Sequence, residues 1–126
     1  MKKLIFTTAL SSMLTIISCT SENSVVSTAE SLKTTEMKNF DKAFRSLGEP
    51  QNKPTEEEKR SGSAELSDRR KKILMPASVA LIKSTGISDE VLLNNTKGDM
   101  TATIVWATKI NLEKNAGIKN QLKFEN

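Results

Sequence analysis

The amino-acid sequence predicts a mainly α protein: a small three-helix domain after a disordered tether and a polar linker. Three observations carry that expectation. Residues 66–126 hold 25 apolar residues in 61, whereas residues 19–65 hold 11 in 47. Only the later stretch can bury enough apolar surface to offset chain entropy by itself. Its apolar residues recur at helical spacing between Ser or Asp caps and Gly stops. With 126 residues in all, the chain has room for one small domain.

The elements follow in order. Residues 1–18 are set apart from the domain. Lys2 and Lys3 form a positive start, and residues 4–17 carry no charge. That is the layout of a secretory signal. A membrane span needs about 20 mostly apolar residues; here Thr7, Thr8, Ser11, Ser12 and Thr15 interrupt a shorter run. Residues 19–34 are Ser/Thr-rich and read as a flexible tether. Within 35–65, Met37, Phe40, Ala43, Phe44 and Leu47 form a helical stripe that Thr34 or Thr35 can cap and Gly48–Pro50 stops. This short amphipathic helix is expected to dock on the domain; a partner-facing or membrane-surface helix is the alternative use. Residues 50–65 read as a solvated linker with room for one helical turn.

The domain spans 66–126. Ser67 caps a first helix through Ile82, with Gly86 as its stop. Pro76 conflicts with it, because proline inside a helix costs about 3 kcal/mol. Either the helix bends there or it starts at Pro76. Ser88 caps a second helix, with Asp89 and Glu90 suited to its positive end; residues 94–98 end it. Asp99 caps a third, to about Asn115 and before Gly117. A strand is the rival for 101–106, whose β-branched and aromatic residues favour pleated surfaces. Trp106 is read as core. Residues 118–126 read as a polar tail with Leu122 and Phe124 as docking points.

The segment Ile16-Ile17-Ser18-Cys19 resembles the lipobox of bacterial lipoproteins. The resemblance covers residues 1–19 and implies nothing about the domain. It implies cleavage between Ser18 and Cys19, and a diacylglyceryl thioether on Cys19. It further implies anchoring by palmitate-type acyl chains at the bacterial envelope. In that class an Asp directly after the Cys marks inner-membrane retention; Thr20 stands there instead, which favours the outer membrane. With Glu22 as the one acid in 20–23, surface and periplasmic placement both stay open. Two or more chains are what stable anchoring requires, at about 0.8 kcal/mol per buried CH₂.

The chain has no His, no Tyr and one Cys. That excludes Ser-His-Asp and Cys-His catalysis, His or paired-Cys metal sites, and intramolecular disulfides. Removing residues 1–18 takes Lys2 and Lys3 from 19 basic residues and none of the 15 acidic ones, leaving +2. The charge therefore gives no case for nucleic acid, and an exported chain has no DNA to meet. Residues 94–99 loosely resemble a calcium loop but lack its alternating carboxylates and distal Glu. No metal site and no cofactor are expected. Asp89, Glu90, Asp99 and Glu113 are the acids a carboxylate-dependent envelope hydrolase would use; they are better explained as caps and surface. The run Arg69-Arg70-Lys71-Lys72 is the one cluster with some specificity. It is either a solvated helix start or a contact for anionic lipid or an acidic partner. The expected role is a lipid-anchored interaction or structural module, held to the membrane through Cys19, with an envelope protein as partner.

Overall fold

The structure is a computed structural model and describes residues 29–125. The chain divides into two compact units, residues 1–32 and 33–126. The signal segment 1–18, Ser18, Cys19 and most of the 19–34 tether lie outside the described residues. Residues 29–32, within the expected tether, are helical.

The described residues are mainly helical, without a strand. Five α-helices follow one another: α1 (Thr35–Ser46), α2 (Glu56–Arg60), α3 (Asp68–Lys83), α4 (Asp89–Thr96) and α5 (Met100–Phe124). A single 3₁₀ turn, Pro50–Asn52, lies between α1 and α2. The three helices expected in 66–126 are present as α3, α4 and α5.

Each N-terminus is closed by a side chain, which satisfies a backbone donor that the helix itself cannot. Thr34 accepts from the Met37 N–H, Ser67 from Arg70, Ser88 from Val91, and Asp99 from Ala102. Between α4 and α5 the chain reverses through two left-handed residues, Lys97 at φ 54° and Gly98 at φ 77°. Asn94 and Asn95 belong to α4, so the residues that resembled a calcium loop are partly helix.

Two apolar clusters hold the unit together. The larger joins Met37 and Phe40 of α1, Leu81 and Ile82 of α3, Leu92 of α4 and Ala107 of α5, with Trp106, Ile110 and Ile118 packed against it. The smaller joins Leu47, Leu74 and Ile104. The α1 stripe thus docks on the domain, and it does so at the centre: Phe40, the bulkiest fully buried side chain, comes from it. Burying one such ring contributes about 1.5–3 kcal/mol. Phe44 meets Phe40 edge to face, with ring centres 5.0 Å apart.

The proline conflict resolves as one continuous helix. Pro76 sits inside α3 on the same exposed side as Arg69, Lys72 and Lys83. The carbonyl that loses its donor, that of Lys72, therefore lies on the wet side, where water can replace it. The strand alternative for 101–106 is not adopted. Hydroxyls of Thr103 and Thr108 donate back to the carbonyls of Asp99 and Ile104, at 2.9 and 2.8 Å, so a half-buried helix face satisfies them. The third helix also outruns its expected end near Asn115. Gly117 lies within α5 and is exposed. Its helix penalty of about 1 kcal/mol is offset as Ile118, one residue further on, packs on the larger cluster.

Candidate functional site

The basic block Arg69–Lys72 opens α3, and its place explains its contacts. Cations in a first helical turn face the positive end of the macrodipole. Here the long side chains leave that end and reach back to the segment between α1 and α3. Arg69 grips Glu58 of α2 with a two-pronged fork, Nε to Oε1 at 3.2 Å and Nη2 to Oε2 at 3.1 Å. It also donates to the carbonyls of Gln51 (3.3 Å) and Lys53 (2.9 Å). Arg70 donates to the carbonyls of Asn52 (3.0 Å) and Leu47 (3.4 Å). Leu47 is the C-terminal cap of α1, so Arg70 places a cation at a negative helix end, where it is favourable. Lys71 lies 3.4 Å from Glu65 and 3.9 Å from Asp68, with its side chain only 13% exposed. Lys72 is exposed.

Glu58 is the hub of this clip. Thr55 and Glu58 form a reciprocal capping box around α2. Hydrogen bonds from Arg69, from Ser67 and from the Thr55 backbone hold its carboxyl down to about 2, well below the usual 4.5. No α2 residue is buried, so polar contacts rather than apolar packing hold this one-turn helix. The Thr-x-x-Glu spacing at 55–58 is the sequence signal that points to the hub, and it lies within the stretch expected to be a solvated linker.

A second polar cluster joins α1 to α5. Asp41 accepts from Lys33 Nζ at 2.8 Å and from Asn111 Nδ2 at 3.0 Å. Burial raises the Asp41 carboxyl, but the Lys33 and Asn111 hydrogen bonds outweigh it, and the net shift is downward. Asn111 is 9% exposed, and among the described residues its Oδ1 is a buried oxygen with no hydrogen-bond partner.

Two recesses flank the clip. One, of about 230 Å³, is lined by Pro54, Glu58, Ser63, Leu66 and Arg70 among others. The other, of about 160 Å³, is mostly apolar, between Leu66, Lys71, Thr101, Ile104 and Val105, with Glu65 at its edge. The acids considered for catalysis occupy neither. Asp89 pairs with Lys83 at 3.0 Å, Asp99 caps α5, and Glu90 and Glu113 are exposed. Asp99 and Glu113 are separated by about 21 Å along the helix axis at 1.5 Å per residue, too far to act as a pair. Among the described residues no group of three or more acids or thiols is placed to hold a metal ion, and no helix is long and apolar enough to cross a membrane.

The exposed apolar residues form the remaining feature of note. Val105 (62% exposed) and Leu112 (64% exposed) stand on the outer side of α5, and Val91 and Leu93 on α4. Val105 and Leu112 are apolar residues that the structure turns outward. No protein-family model matches the chain, and neither does any curated protein or solved structure.

Proposed function

We propose that the chain is a lipid-anchored protein of the bacterial envelope, held at the outer membrane through acylated Cys19. It works there as an interaction or structural module. The observation that carries this reading is the run from Lys2 to Cys19, a charged start, an uncharged stretch and the segment Ile16-Ile17-Ser18-Cys19. The folded unit supports the second half of the reading. Arg69, Arg70 and Lys71 are spent on the unit's own loop, and Asp99 on its own helix cap. What is left to offer is helical surface, including Val91 and Leu93 on α4. Exposed apolar side chains are what a contact surface draws on.

The test is fractionation of cells making wild-type chain or Cys19→Ser. Wild type is expected in the membrane fraction and the variant in the soluble fraction. Cross-linking of the anchored wild type is then expected to give one stoichiometric adduct with an envelope protein. A Cys19→Ser chain that stays with the membrane overturns the anchoring, and a wild type with no adduct overturns the interaction role.

A further inference from the structure

The outward side of α5 carries lysines and aliphatic side chains together. At 100° per residue, Val105, Lys109, Leu112, Ala116, Lys119 and Lys123 fall within an arc of about 80°, and all six are exposed. The buried positions Thr103, Ile104, Ala107 and Asn111 lie on the opposite side. Over its whole length α5 carries four lysines and one acid, Glu113, and Glu113 falls at the margin of the exposed side. Among the described residues none of Lys109, Lys119 and Lys123 is ion-paired. In the basic block of α3, by contrast, Arg69 and Lys71 pair with acids and Arg70 is hydrogen-bonded to backbone carbonyls, leaving Lys72 exposed. The three α5 lysines are thus among the unit's exposed, unpaired cations, as are Lys38, Lys42 and Arg45 of α1, but on α5 they share their side with the exposed Val105 and Leu112.

We infer that the outward face of α5, from Val105 to Lys123, docks on an anionic lipid surface. This rests on the anchoring proposed above. Charge complementarity identifies the occupant: three unpaired lysines flank two aliphatic side chains, with no arginine or aromatic ring among the six. Protein interfaces are depleted in Lys at their centres and enriched in Arg and aromatics. A bilayer interface suits Lys, whose aliphatic stem lies along apolar surface while the ammonium reaches the headgroups. Chain length supplies the proximity. Fifteen residues lie between Cys19 and Thr35, and at about 3.3–3.6 Å per step that stretch spans at most about 58 Å. The unit thus stays close to the bilayer that holds Cys19, and docking becomes an intramolecular event with a high effective concentration. The 25-residue helix is about 37 Å long, enough to lay all three lysines on one surface. Val91 and Leu93 on α4 remain for the envelope partner.

The experiment uses the full acylated chain carrying Leu112→Cys, with Val105→Cys as a second position. Because acylation occupies the native Cys19, the new thiol is the one free site for an environment-sensitive fluorophore. The chain is placed in phosphatidylcholine vesicles with or without phosphatidylglycerol, each containing a lipid-borne quencher. Quenching is expected only with phosphatidylglycerol, with reversal by about 0.5 M salt, where screening is strong. A label on Ala80→Cys, on the exposed side of α3, is expected to stay bright. Combining Lys109→Gln, Lys119→Gln and Lys123→Gln is expected to shift the docked–undocked equilibrium about a hundredfold toward undocked. A label at 112 that stays bright on both lipids overturns the inference. So does quenching unchanged by the three Gln substitutions, or a response only to an added acidic protein. The mass of the N-terminal peptide is read on the same sample. An unacylated Cys19 overturns the anchoring, whereas an acylated chain with a bright label overturns the docking alone.

Discussion

Replacing Phe40 by Ala tests whether α1 is part of the core or merely laid against it. Phe40 is 2% exposed and belongs to the cluster shared by α1, α3, α4 and α5. Truncating a buried Phe costs about 3–5 kcal/mol, transfer and cavity terms together. A domain of this kind has about 5–15 kcal/mol in total, so about a fifth or more of its stability is at stake. Urea unfolding followed by the fluorescence of Trp106 reads the loss directly, since Trp106 packs on the same cluster. With a slope of about 1–3 kcal/mol per M, the midpoint is expected to fall by more than about 1 M at unchanged slope. A loss below about 1 kcal/mol would refute the reasoning and make α1 a peripheral strap.

Other expectations follow from single features. Pro76→Ala is expected to stabilise the chain by as much as about 3 kcal/mol, since the site is helical, exposed and deprived of one hydrogen bond; thermal unfolding checks it. Lys97→Gly is expected to stabilise by about 1 kcal/mol, because φ 54° strains a side chain but not Gly. Glu58 is held at about 2 against an ordinary 4.5, so its contribution is complete above about pH 4.5 and is lost as pH falls toward 2. Glu58→Gln is expected to flatten the acid limb of a stability–pH profile over that window. A limb that stays equally steep would place the acid sensitivity elsewhere.

The local devices of the fold were legible in the sequence, and the long-range ones were not. The caps Thr34, Ser67, Ser88 and Asp99, the stripe of α1 and the mainly α class follow from residues three or four apart. The partners of Arg69 and Arg70 lie 11 to 23 residues away, and several are backbone carbonyls, which every residue carries and no spacing marks. Pro76 and Gly117 read as breaks because each is costly alone; neighbours on the same helix outweigh both. The outward turn of Val105 and Leu112 was not legible, because apolarity shows what a residue favours, not which side the helix turns to the bundle. The same holds for Asn111, a polar residue that burial and Asp41 claim. For the anchoring site the position is reversed. Its whole argument is local, in residues 2–19, and the described residues add nothing to it.

The anchoring and the α5 docking both depend on the covalent state of Cys19. Mass spectrometry of the N-terminal peptide from membrane-extracted chain tests it most directly. The expectation is a peptide that begins at Cys19 and carries a thioether-linked diacylglyceryl group. A peptide that retains residues 1–18, or begins at an unmodified Cys19, would contradict it.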